Sequence, residues 1–279
     1  MELVAGVIVI FMALLLILAV LFAMRQCTAD ISTVPTEPSV TTKPTKPPKP
    51  TLPANPYDAA DFLYDENGYL TCLAGESWLG VDVSEHQGVI QWEKVALSDV
   101  RFAMVRLAYR GWGSEGVVRA DARGMENLRA ADAAGLQVGV YFFSQAVSVE
   151  EAVEEAQFLL ALLDGYALDL PVVFDWETVS SQDARTANVD AKTLNACALA
   201  FCREIEAAGY DSMVYFNLDM ARRMFDLPQL YQNGVQLWLA MYADGLSYAG
   251  QVQMWQYTDA GVVPGIPVKV DLNLYFPQG

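Results

Sequence analysis

The stretch Pro171-Val172-Val173-Phe174-Asp175-Trp176-Glu177-Thr178 sets two carboxylates two residues apart at the end of an apolar run. Read as a strand, it turns Asp175 and Glu177 to one face, in line with Val173. Their backbone sites are then roughly 6–7 Å apart, which leaves space for a sugar-ring carbon between the carboxyl groups. That spacing falls between the ranges of retaining and inverting glycosidases and does not give the stereochemistry. The opposing reading is a pair of acids held by arginines or turned to solvent. Burying carboxylates is costly unless they are used or paired, which favours chemistry. Asp82, in Gly80-Val81-Asp82-Val83-Ser84, and Asp271, in Val270-Asp271-Leu272-Asn273, end two further apolar runs in the same way.

Composition narrows the chemistry from the other side. The 279 residues carry 17 Lys and Arg against 34 Asp and Glu, a formal net charge of −17. Residues 1–56 hold four basic and three acidic residues, so the remainder carries the whole acidic surplus. A domain that acidic lacks the basic footprint needed to grip nucleic-acid phosphates. There is one histidine, His86, and four cysteines without a C-x-x-C pair. Zinc sites of the usual ligand sets are thereby nearly excluded, and a histidine-dependent nucleophile would have to use His86. His86 reads as a loop residue without a catalytic role. Carboxylate chemistry is what remains, with no metal and no cofactor expected.

Elements that could position these acids alternate along the chain. Strand signals fall at 79–83, 102–108, 137–143, 171–177 and 212–217, with helix signals at 90–97, 120–134, 149–163, 190–208 and 219–225 between and after them. Ser148-Val149-Glu150-Glu151 has the form of a capping box, and Asp190 that of an N-cap. Three strands, 235–242, 251–257 and 268–274, follow with no helix-length apolar pattern between them. Strand–helix alternation argues for a parallel sheet with right-handed crossovers, and eight strands suggest closure into a barrel. In a closed barrel the first and last strands are neighbours, so all four acids would converge on the C-terminal mouth.

At this point the residues resemble a family. Gly80-Val81-Asp82-Val83-Ser84 with Gln87-Gly88, Ala133-Ala134-Gly135-Leu136 leading into Val138-Gly139-Val140-Tyr141-Phe142-Phe143-Ser144, the Asp175–Glu177 strand, Trp238-Leu239-Ala240-Met241-Tyr242, Trp255-Gln256-Tyr257 and Val270-Asp271-Leu272-Asn273 occur in that order. Over about residues 78–279 the chain is similar to the glycoside hydrolase family 25 muramidases, lysozymes of fungal and bacteriophage type. The resemblance implies an irregular TIM-like α/β barrel of five strand–helix units followed by three strands. It implies hydrolysis of the β-1,4 bond between N-acetylmuramic acid and N-acetylglucosamine in peptidoglycan. Carried over by motif, Glu177 is the general acid. Asp175 stabilises charge at the anomeric carbon or orients the substrate's N-acetyl group. Asp82 and Asp271 bind substrate or tune the central acids, and like-charge neighbours together with Trp176 would raise the carboxyl of Glu177. Among aromatics near strand ends (Tyr141, Tyr215, Trp238, Tyr242, Trp255), Tyr141 and Tyr242 are the first candidates for sugar contact. Phe142 and Phe143 stand where other members often carry His and Tyr.

The N-terminal region differs in kind. Leu3–Met24 is an apolar run without charge, roughly 33 Å long as a helix and sufficient to span a bilayer core. It lacks a basic n-region and an A-x-A-like site, so residues 1–25 are expected to be an uncleaved single-pass anchor, with cleaved secretion as the alternative. Residues 26–56 hold eight of the 13 prolines and read as a disordered linker. Residues 57–76 form a short lead-in, and 77–279 the barrel. Charge flanking the apolar run leans weakly toward a cytoplasmic C-terminus. The implied substrate lies outside the membrane and places the barrel on the cell-wall side. The rival readings are a non-catalytic peptidoglycan-binding barrel and a glycosidase acting on another polysaccharide.

Overall fold

The computed structural model describes residues 50–277, apart from 182. The expected anchor (1–25) and most of the expected linker lie outside the described residues. Among the described residues no helix is long and apolar enough to cross a membrane. The described residues form one compact unit.

The end of the expected linker is paired to the barrel. Asn55 N donates to Ala249 O (2.9 Å) and Gln251 N to Pro53 O (2.9 Å). Proline has no N–H, but its carbonyl still accepts. The lead-in segment is a hairpin of β1 (Phe62–Tyr64) and β2 (Leu70–Cys72), paired antiparallel. Its turn is held by Asp65, whose carboxylate accepts from Asn67 N (2.9 Å) and Tyr69 N (2.8 Å). Phe62, Tyr69, Leu70 and Cys72 are buried in the same core as the barrel's outer layer, which makes the hairpin part of the folded unit.

Eight strands close the barrel: β3 (Trp78–Val83), β4 (Phe102–Arg110), β6 (Gln137–Ser144), β7 (Val172–Trp176), β8 (Ser212–Asn217), β9 (Gln236–Ala240), β10 (Met254–Gly261) and β11 (Val270–Tyr275). Neighbours from β3 to β10 are parallel; β11 runs antiparallel to both β10 and β3 and closes the ring. A short β5 (Val118–Ala120) pairs with the end of β4. The helices are α1 (Trp92–Ala96), α2 (Gly124–Ala133), α3 (Val149–Leu163), α4 (Ala191–Ala207), α5 (Leu218–Arg223) and α6 (Leu227–Gln232). β5 and α6 have no counterpart in the sequence reading, since neither is long enough to show a period. The strand expected at 251–257 begins three residues later, because Gln251 is paired to Pro53.

Caps work as the local sequence requires, with one difference. Ser148 accepts from Glu151 N and Asp190 from Thr193 N. The Glu151 carboxylate does not return to Ser148; it accepts from Val147 N (2.9 Å) and pairs with Arg185. The guanidinium is the stronger partner.

Period-two alternation divides the core in two. Val172, Phe174 and Trp176 face the helices, while Val173 joins Phe102, Met104, Met213, Trp238 and Met254 inside the barrel. Gly80 and Gly139 let this lumen fill. A Cβ on Gly80 would stand 2.3 Å from the Phe102 ring, and one on Gly139 2.7 Å from the Met104 sulfur. With its lower half packed solid, the lumen leaves space for a site at the mouth.

Candidate active site

Strand direction carries the four acids to that mouth. Asp82 is the penultimate residue of β3, Asp175 lies in β7, Glu177 follows it by two residues, and Asp271 is the second residue of the antiparallel β11. Asp82 and Asp271 are cross-strand partners. All four line one cavity of about 310 Å³ together with Tyr141, Tyr215, Trp238, Tyr242, Arg106 and Gln256. A larger groove, about 750 Å³, runs past Tyr69, Trp78, Asp99 and Arg101, between the hairpin and the N-terminal strand ends. Converging buried carboxylates, not volume, distinguish the mouth as the candidate site.

Asp82 is a tethered anion. Its Oδ2 accepts from Gln256 Nε2 (2.9 Å) and Asn273 Nδ2 (2.8 Å). Those two residues are themselves cross-strand partners on β10 and β11. Trp238 Nε1 can only donate, and it donates to Asn273 Oδ1 (2.9 Å), which turns the Asn273 amide N–H toward Asp82. The Tyr215 and Tyr242 hydroxyls donate to Gln256 Oε1 (2.9 and 3.2 Å) and orient that amide likewise. Burial raises the Asp82 carboxyl to about 6 while these donors work against the shift.

The other three acids are raised as well. Asp175 is 6% exposed, and its Oδ1 is buried without a hydrogen-bond partner among the described residues. Burial, then Glu177 and Asp82, push its carboxyl well above the usual range, and Arg106 opposes them. Glu177 is raised by burial first and by Asp82 second. Asp271 rises to about 8, chiefly through burial and then through Asp82 and Asp259. Four carboxyls cannot all ionise in so small a space, so the cluster retains protons near neutral pH.

Several residues stand differently from the sequence expectation. Trp176 faces the outer core and donates to Ala146 O (3.0 Å), so it does not wall the cavity beside Glu177. Trp255 also belongs to the outer layer, where its indole donates to Met241 O. Tyr141 lines the cavity edge-on to Trp238, and Tyr242 stands at the rim, 55% exposed. His86 lies in a short turn after β3 and lines the cavity as well. Arg106, which the sequence reading passed over, is the guanidinium of the site. It pairs with Asp121 (2.8 Å) and Glu85 (3.5 Å). The signal for it is an arginine in the middle of an apolar strand, at an inward position, where a charge needs a reason.

A barrel mouth lined by four carboxyl groups and aromatic side chains fits carboxylate-based glycoside hydrolysis. Comparison with known proteins gives the family. The profile of "Glycosyl hydrolases family 25" matches residues 81–266, and the chain belongs to that family. A curated relative, "Uncharacterized protein YegX" of Escherichia coli (strain K12), is 27% identical over 214 residues, covering 70% of this chain and 68% of its own. Among solved structures, the modular autolysin LytC from Streptococcus pneumoniae, in complex with synthetic peptidoglycan ligand, superposes with a TM-score of 0.65 at 22% identity. That match covers 77% of this chain, which spans about half (52%) of the LytC chain. The spore cortex lytic enzyme SleM of Clostridium perfringens matches at TM-score 0.60 and 24% identity, over 71% of this chain and 67% of its own. A bacterial lysozyme from Streptomyces coelicolor matches at 0.58 and 21%, over 73% and 94%. At these identities the structural likeness concerns the fold.

Proposed function

We propose that the protein is a muramidase that hydrolyses the β-1,4 bond between N-acetylmuramic acid and N-acetylglucosamine in peptidoglycan. The observation that carries this reading is the convergence of Asp82, Asp175, Glu177 and Asp271 on one cavity in a family 25 fold. Glu177 donates its proton to the glycosidic oxygen as the bond to the anomeric carbon breaks. Burial and the neighbouring Asp82 charge raise its carboxyl, which favours the protonated form that an acid catalyst needs. Asp175, in its ionised form, stabilises the oxocarbenium or oxazolinium charge, and its unpartnered buried oxygen is a fitting acceptor for the N–H of a sugar acetamido group. Water then adds at the anomeric carbon and returns a proton to the Glu177 carboxylate. Asp82 supplies a fixed negative charge, Asp271 tunes the cluster, and Tyr141 and Tyr242 contact sugar rings.

The same proposal reads the barrel as (β/α)5(β)3 over 77–279, and residues 1–25, 26–56 and 57–76 as anchor, linker and lead-in. Residues 3–24 would hold the chain at the membrane with the barrel on the cell-wall side. Protease treatment of intact cells tests this placement: the barrel is expected to be lost, and a barrel shielded until lysis would overturn it.

Activity is tested by release of reducing ends from purified peptidoglycan, with loss in Glu177→Gln. Mass analysis of the fragments should find N-acetylmuramic acid at the new reducing end. N-acetylglucosamine there would reassign the bond. No release at any pH would make the protein a glycan-binding barrel.

A further inference from the structure

Glu177 lies one residue beyond β7, where the ladder stops. The last β6–β7 pair is Ser144 with Trp176, and the last β7–β8 pair is Asp175 with Tyr215. The Glu177 carbonyl therefore has no strand partner. A side chain takes that role: Gln145 Nε2 donates to Glu177 O (2.8 Å) and to Ser144 O (2.9 Å). Gln145 follows β6 directly and is fully buried. We infer that Gln145 is the positioning residue of Glu177, its amide extending the β6–β7 ladder by one rung to fix the height of the acid over the mouth. The inference rests on the reading of Glu177 as the general acid.

What surrounds Gln145 supports a built arrangement. Its Oε1 accepts from the buried Thr186 hydroxyl (3.3 Å), which leaves the N–H side to face Glu177. Its backbone carbonyl accepts from Arg185 Nη1 (2.8 Å). Arg185 in turn forms a two-point pair with Glu151 at 2.6 and 2.9 Å, and its backbone N–H donates to Trp112 O (3.1 Å). Gly116 packs so close that a Cβ there would meet the guanidinium at 2.3 Å. The segment after Glu177, the start of α3 and the loop between β4 and β5 are thus joined at one buried knot. Glu151 gives up its capping-box bond to serve it. Both Nη groups of Arg185 bond inside the knot, and Gln145 carries its hold to the carbonyl of the acid.

The test uses Gln145→Met, of similar volume but without donors, and Thr186→Val, which removes only the hydroxyl that orients the amide. Turnover is measured on peptidoglycan per folded molecule, with melting temperature and full pH profiles alongside. A misplacement near 1 Å costs about 100-fold in rate, so Gln145→Met is expected to lose on the order of 10- to 100-fold in kcat with KM nearly unchanged. Thr186→Val should lose less. Freed from its rung, Glu177 becomes better solvated, and the alkaline limb of Gln145→Met should move to lower pH. A structural role alone would lower the melting temperature and leave kcat and the limb of the folded fraction where they were. That outcome overturns the inference. Glu177→Gln, assayed in parallel, separates the two claims: if it stays active, the reading of Glu177 as the acid fails, whatever Gln145→Met does.

Discussion

Glu155 and Asp175 are both buried carboxylates near the ends of β6 and β7, and their surroundings are opposite. Glu155, on α3, accepts from Arg110 Nε at 2.6 Å and from Ser144 Oγ at 2.5 Å. Arg110 spends its remaining donors on Gly116 O, Glu151 O and Glu154. Every charge in that cluster is met. Asp175 has an oxygen without a partner, and Arg106, the cation that shares its cavity, forms its ion pairs with Asp121 and Glu85. The same barrel thus contains a complete buried ion pair, which is architecture, and an incomplete one, which marks the candidate site. Removing half of a complete pair should damage the fold, and removing half of the incomplete one should damage the chemistry.

The largest test of that division is Glu177→Gln. Loss of a general acid typically costs about 10²- to 10⁴-fold, read as reducing ends released per folded enzyme, with little change in the melting curve. Arg110→Met should do the reverse. Stranding Glu155 without its cation should cost about 3–5 kcal/mol in a denaturant titration, while turnover of the folded fraction stays near the wild-type value. If its turnover instead falls with that of Glu177→Gln, the two clusters are not separate.

Two smaller effects sharpen the contrast within the site. The Asp82 charge helps keep the proton on Glu177. Asp82→Asn removes that charge, so Glu177 ionises at lower pH and the alkaline limb of the rate profile moves down. An unmoved limb would leave Asp82 as a substrate contact only. Asp271 titrates at about 8 in the fold against about 3.9 in an unfolded chain. Between those values the folded state binds more protons than the unfolded one, so stability falls as pH rises through that window. Asp271→Asn lacks this penalty. Its melting temperature should exceed that of the wild type by a few degrees at pH 8.5, and the gap should close toward pH 4.5.

Much of this architecture is legible in the chain. Several strands and helices with a clear period are found within a residue or two, as with 212–217 and the helix capped by Asp190, whereas the helix expected from 120 begins at Gly124, after Val118–Ala120 pairs with β4. The neighbourhood of first and last strands, and with it the meeting of Asp82 and Asp271, follows from counting eight strands. The misses share a cause. The β1–β2 hairpin, β5 and α6 are too short for periodicity and exist because the barrel offers them a surface. Trp176 was misplaced as a neighbour of Glu177 because adjacency in a strand means opposite faces.

By itself the sequence determined which acids exist, that Asp175 and Glu177 share a face, and that histidine and zinc chemistry have almost no residues to work with. These are properties of residue type and of a two-residue period, both local. The tertiary structure decided which acid is tethered and which keeps a proton. Asp82 is held by residues 174 and 191 positions away. It also decided that Gln145, a residue with no motif around it, reaches the backbone of Glu177 from 32 positions upstream. Burial and charge–charge distance set the protonation of a carboxyl, and neither exists until strands remote in sequence are closed into one barrel.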